Sequence, residues 1–147
     1  MIDRKHIGKT RPPHTVDVEK GRLNFFAKAI GETNPIYTDE EAARRAGYSS
    51  LPAPPTFTFC LEQDLPNAFE FLDSIGVDIR KVLHGEQSFT YHGPICAGDQ
   101  ITLETRIADI YDKKDGALDF IVLDTTCRKQ GDIVVAEQRT VLVVRNC

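Results

Sequence analysis

A chain of 147 residues has room for one domain with a real core and none for a second. Hydrophobic residues make up 41% and charged residues 27%, the balance of an ordinary globular protein rather than a disordered or fibrous one. The formal net charge of −4, with Lys81, Lys113, Lys114, Arg128 and Lys129 scattered along the chain, offers no basic stripe. Nucleic acid and anionic membrane are therefore not expected as partners.

Residues 1–14 carry little periodicity and include Pro12-Pro13, so they read as an extended lead-in. Thr15 to Val18 reads as either a short edge strand or the approach to the first helix. From about Glu19, the residues Leu23, Phe26, Ala27 and Ile30 follow i, i+3, i+4, i+7 and mark one helical face. Asp17 is the expected N-cap and Gly31 the expected stop. Thr38-Asp39-Glu40-Glu41 predicts a capping box opening a second helix, with Ala42, Ala43 and Ala46 as a close-packing face and Gly47 at its end.

Leu51-Pro52-Ala53-Pro54-Pro55 cannot be helical, because each proline lacks an amide hydrogen and restricts its predecessor. Thr56 then caps a buried helix carrying Phe57, Phe59, Cys60 and Leu61, which ends before Pro66. Asn67 is placed to cap one more short helix with Phe71, Leu72 and Ile75 inward.

After Val77 the period changes from helical to two. Gln87, Phe89 and Tyr91 fall on one strand face; His84, Glu86, Ser88, Thr90 and His92 fall on the other. Gly93-Pro94 and Ala97-Gly98-Asp99 interrupt, Ile101 to Tyr111 alternates, and Asp115-Gly116 signals a hairpin into a strand from Leu118. The last strand runs from Ile133 to Arg145, and its Val141-Leu142-Val143-Val144 predicts cover on both faces. The whole reads as an α+β domain, an antiparallel sheet with helices on one side. Its free face or edge calls for a second subunit.

No apolar run approaches the ~18 residues of a membrane span, and Met1 to His6 lacks the apolar stretch of a secretory signal. Cys60, Cys96, Cys127 and Cys147 form no C-x-x-C pair and no zinc-ligand spacing with histidine. They are read as free thiols in a reducing cytoplasm, Cys60 as core and Cys147 as idle. No phosphate loop, Ser-His-Asp constellation or metal cluster appears, so neither a metal nor another cofactor is expected.

Three segments carry a family resemblance: Gly31-Glu32-Thr33-Asn34-Pro35-Ile36-Tyr37, Pro52-Ala53-Pro54-Pro55-Thr56-Phe57, and Tyr91-His92-Gly93-Pro94-Ile95-Cys96-Ala97-Gly98-Asp99. From about Thr15 to Arg145 the chain resembles a MaoC-like hot-dog domain of the group containing the (R)-specific enoyl-CoA hydratases. More narrowly, it resembles the N-terminal dehydratase-like branch, with the substrate-binding subunits of mycobacterial 3-hydroxyacyl thioester dehydratases. The resemblance implies a single domain over residues 1–147, an antiparallel sheet wrapped around a central helix, and dimerisation through the sheets. It also implies an acyl thioester, on CoA or carrier protein, threaded near the interface.

In the active family pattern the loop reads Asp-x-Asn-Pro-x-His, and that pair adds or removes water across a 2,3-double bond by trading acid and base roles. A backbone amide at a family glycine supports the enolate oxygen. Here the aspartate position holds Glu32, the histidine position Tyr37, and the glycine position Pro55. A phenol with a reference pKa near 10 is a poor base at neutral pH, and proline has no amide hydrogen to donate. The resemblance thus implies a substrate-binding half whose catalytic MaoC-like partner supplies the dyad, as a heterodimer or within a homo-oligomer. Two alternatives stay open: a self-sufficient hydratase using Glu32 with His84 or Tyr37, and a hot-dog thioesterase or acyl-CoA-binding protein.

The candidate residues each carry a plainer reading as well. Glu32 is either a base or a solvated loop carboxylate, and Asn34 either contacts substrate or only turns the chain before Pro35. Tyr37 either bonds a substrate carbonyl or packs the loop. Thr56 caps a helix whose N-terminal amides can hold a thioester or phosphate oxygen. His84 and His92 lie about 26 Å apart on a straight strand and cannot share a site; both read as surface or interface histidines. His84, followed by Gly85 and Glu86, is the better catalytic candidate of the two.

Overall fold

β1 (His14–Asp17), β2 (Val82–Tyr91), β3 (Gln100–Lys113), β4 (Leu118–Lys129) and β5 (Ile133–Arg145) form one antiparallel sheet in the order β1-β3-β4-β5-β2. This computed structural model describes residues 1–146, and the reading of Cys147 falls outside them. The α-helices of the described residues are α1 (Lys20–Ala29), α2 (Glu40–Arg45), α3 (Phe57–Gln63) and α4 (Glu70–Asp73). Helix α3 lies on the inner sheet face, where Phe57 and Leu61 join Ile101, Leu103, Cys127 and Ala136 in one apolar cluster. That is the hot-dog arrangement expected from the resemblance.

The strand boundaries follow the alternation closely, because one face of each strand is buried and a slip by one residue would expose it. Lys114, Asp115 and Gly116 all take positive φ in the predicted hairpin. Val144 joins the inner core while Val141, on the opposite face, is also buried, as that apolar run requires. Thr15 and Val16 do belong to an edge strand, paired with Thr102 and Ile101.

Helix starts were less legible. The residue capping α1 is Glu19, not Asp17, and its side chain makes no capping bond. The cap of α2 is Asp39, whose Oδ1 accepts from the Glu41 amide at 2.9 Å, in place of the Thr38–Glu41 box. Thr56 stands at the head of α3 without a side-chain capping bond. Asn67 lies in the left-handed region three residues ahead of α4, where its carbonyl accepts from the Glu70 amide. In each case a neighbouring backbone carbonyl or carboxylate satisfies the first-turn amides instead.

One face assignment is overturned. A β-bulge between His84 and Glu86 pairs these residues with the adjacent Leu142 and Val141. They therefore point to opposite sides of the sheet. His84 joins Gln87, Phe89 and Tyr91 on the inner side, with its ring against Phe59 of α3 (centroids 5.2 Å, 74° between planes). Gly85 is the extra residue, and a Cβ there would sit 2.8 Å from Val143 Cγ2 and 3.1 Å from the Val141 carbonyl oxygen. Only glycine fits such an approach without displacement. His92 stays on the outer face, with Nε2 2.8 Å from Glu137 Oε2.

Candidate functional site

The loop between α1 and α2 is set by how α1 stops. Gly31 has φ +72°; its amide bonds the Lys28 carbonyl and the Glu32 amide bonds the Ala27 carbonyl at 2.9 Å. That is a Schellman stop, open to glycine because L side chains disfavour this conformation. The same pair of bonds closes α2, from Gly47 to Arg44 and from Tyr48 to Ala43, and delivers Tyr48 towards the same side.

Glu32 is committed to its own loop. One carboxylate oxygen, Oε1, accepts from both the Thr33 and Asn34 amides at 2.9 Å. Asn34 Oδ1 in turn accepts from the Ile36 amide at 3.2 Å and caps the short 3-10 turn Pro35–Tyr37. Both residues thus act as turn fasteners. Their product is the placement of Tyr37.

Opposite this loop, the proline-rich segment is fastened to the chain that follows β2. Pro52 bridges Cys96, the Ala53 amide donates to the Ile95 carbonyl at 2.7 Å, and the Ala97 amide donates to the Leu51 carbonyl. Asp99 Oδ2 accepts from the Cys96 amide at 2.8 Å and pairs with Lys129 at 2.8 Å. The walls of the resulting cleft are therefore held by backbone bonds rather than by loose side chains.

The cleft has a volume of about 340 Å³ and is lined by Tyr37, Tyr48, Tyr91, Thr58, Pro52, Ala53, Pro54, Pro55, Gly93, Pro94 and Ile95. Its polar groups are phenols and one threonine hydroxyl, with Thr58 Oγ1 3.4 Å from the Tyr91 oxygen. Burial, reinforced by the Glu32 charge, pushes the Tyr37 phenol above its usual range. Burial does the same for Tyr91, against the opposing hydrogen bond from Thr58. A phenol held neutral donates a hydrogen bond and cannot take a proton. Among the described residues, no carboxylate, imidazole or amine side chain is in the cleft lining; its phenols and threonine hydroxyl can bind and orient a carbonyl.

Of the candidate residues, Tyr37 and Pro55 meet at this cleft. Glu32 sits behind Tyr37, Asn34 in the turn, and Thr56 on the exposed rim of α3 outside the lining. His84 lies seven residues before Tyr91 on β2, about 20 Å along the strand at the usual rise. It stands outside the cleft that Tyr37 lines. Tyr48, Thr58 and Tyr91 escaped the sequence reading. The C″ position after Gly47 was a usable signal for Tyr48, and the inward alternation with Phe89 was one for Tyr91.

A larger hollow of about 630 Å³ lies on the outer sheet face among Glu104, Arg106, Asp124, Glu137 and Arg139. Most of its charges are paired, Arg139 with Asp124 at 2.7 and 3.0 Å, Arg106 with the same carboxylate at 3.4 Å, and Glu104 with Arg128 at 3.1 Å. Among the described residues, no cluster of histidine, cysteine or carboxylates could hold a metal ion. Cys60, Cys96 and Cys127 are free thiols, and burial pushes Cys127 up to about 12. No helix of the described residues is long and apolar enough to cross a membrane.

Comparison with known proteins decides the family. The model of the FAS1-like dehydratase domain region matches residues 5–138. The chain belongs to this family. A UPF0336 protein of Saccharopolyspora erythraea is 32% identical over 145 residues, covering 98% of this chain and 92% of the relative. Among solved structures, the HadBC (3R-hydroxyacyl-ACP dehydratase) complex of Mycobacterium tuberculosis is similar at TM-score 0.81 and 27% identity, over 94% of this chain and 96% of that one. The ChsH1-ChsH2 complex from the same organism is similar at TM-score 0.72 and 25% identity, over 93% and 89%. The family is that of the hydratase and dehydratase hot-dog proteins, MaoC-like in fold, as the three sequence segments implied.

Proposed function

We propose that this chain is the substrate-binding half of an (R)-specific enoyl-thioester hydratase or 3-hydroxyacyl thioester dehydratase, with a catalytic MaoC-like subunit as its partner. One observation carries the reading: the position of the family's acid–base pair opens on a preformed cleft whose polar side chains are three phenols and the Thr58 hydroxyl. Glu32, at the family's aspartate position, spends an oxygen on two backbone amides. Pro55 brings no amide hydrogen to an enolate oxygen. A neutral Tyr37 or Tyr91 hydroxyl can instead hold a thioester carbonyl while the partner moves the protons.

Two further observations support a partner. The similar HadBC and ChsH1-ChsH2 proteins are complexes. The edge of β2 away from β5 has no strand partner among the described residues, and such an edge is a ready template for pairing.

The test is to purify the chain alone and measure both crotonyl-CoA binding and crotonyl-CoA hydration. The expected result is saturable binding with no hydration. Robust turnover that Glu32→Ala abolishes would overturn the non-catalytic assignment, and absence of binding would overturn the cleft as the thioester site.

A further inference from the structure

The apolar core is split in two by a polar seam. One cluster ends at Leu103, Cys127 and Ala136 on the inner sheet face; the other begins at Ile107 and Leu123. Between them, Thr105 stands opposite Thr125 and Thr125 opposite Gln138, with the Thr140–Gln87 pair one step further along the face. From above, Glu62 of α3 reaches into the same seam, 8% exposed, and accepts from the Thr125 hydroxyl.

The seam is incomplete. Gln138 is 3% exposed, and neither its amide oxygen nor its amide nitrogen has a hydrogen-bond partner. The Gln87 amide oxygen accepts from Thr140 at 2.7 Å, but its nitrogen is also buried and unpartnered. Amides left this way cost free energy, and fully apolar residues of the same size would avoid it. Together they present donors and an acceptor in one place.

The seam adjoins the cleft. Tyr91, in the cleft lining, pairs with Ala136, and Gln138 is the next inward residue on β5, about 6.8 Å further along the strand. On the roof, Glu62 follows Thr58 by one helical turn on the same face of α3. The seam thus lies just beyond the cleft lining, at a distance from Tyr91 that roughly five carbons of an acyl chain would span by that strand spacing.

We infer that the seam is a recognition site for an oxygen function on the acyl chain, so that the preferred thioesters carry a hydroxyl group near the sixth carbon rather than a plain alkyl tail. A hydroxyl donates and accepts and so completes both amides; a methylene leaves them as they are. This rests on the cleft being the thioester site and adds what kind of acyl group it takes.

The test is calorimetric titration of the full chain with hexanoyl-CoA and 6-hydroxyhexanoyl-CoA, with melting curves to check that each variant folds. The wild type is expected to bind the hydroxylated thioester about tenfold more tightly. Gln138→Met should bring that ratio to about one. Gln87→Met, at a half-buried position, should reduce the ratio less. Equal binding of both thioesters by the wild type, or an unchanged ratio in both folded variants, overturns the seam as a recognition site and leaves the cleft standing. Failure of both thioesters to bind overturns the cleft and the seam together.

Discussion

Replacing Gly85 by alanine tests whether the β2 bulge is fixed by packing. The added Cβ would lie 2.8 Å from Val143 Cγ2 and 3.1 Å from the Val141 carbonyl oxygen, the first a side-chain methyl that can move and the second part of the β5 backbone. Overpacking of this kind typically costs ~1–3 kcal/mol. Gly85 is not at positive φ, so alanine also restricts the unfolded chain and returns ~0.4–1 kcal/mol. The net expectation is a loss of about 1–2 kcal/mol, or roughly 3–8 °C in Tm for a chain of this length. Urea and thermal unfolding followed by circular dichroism would measure it. Adding Val143→Ala removes the nearer contact, so the double variant should be more stable than the sum of the singles by ~0.5–1 kcal/mol. If Gly85→Ala melts at or above the wild-type temperature, or the double variant shows no recovery, the bulge is not held by this contact. The placement of His84 would then need another cause.

Two further outcomes follow from the site and the outer face. Glu32→Ala should loosen the loop by about 1 kcal/mol through its two lost amide bonds, whereas Glu32→Gln, which keeps an acceptor, should lose less. In Glu32→Gln the Tyr37 phenol, followed by NMR titration of its ring, should titrate lower than in the wild type, because a neighbouring negative charge is gone. An unmoved Tyr37 would mean that Glu32 does not act on the cleft. The Arg139 hydrogen bonds, with burial opposing, hold Asp124 below the usual carboxylate range. A folded pKa below the unfolded value of about 3.9 means that its contribution is full above that pH and is lost on acidification. The stability gap between wild type and Asp124→Asn should therefore be present at pH 6 and close as pH falls below about 4. A gap that persists at pH 2 would refute the ion pair as its source.

The amino-acid order by itself determined the helix-then-sheet plan, the strand boundaries and the position of the loop. Period-two burial and glycine or proline at the turns are local signals, and the tertiary structure overrides them only at the β2 bulge. Of the residues singled out on the resemblance, Tyr37 and Pro55 line the cleft, while Glu32, Asn34, Thr56 and His84 do not. Helix caps were poorly legible because several side chains near each start compete for the same amides, and only the folded backbone selects Asp39 over Thr38. The face of His84 was illegible for a sharper reason. A single extra residue at Gly85 reverses the parity of everything before it, and whether a glycine makes a bulge depends on the strand beside it. The polar seam was hidden in the same way. Thr105, Thr125, Gln138 and Gln87 lie on four different strands, and only their register and the helix above them bring their polar ends together in the core.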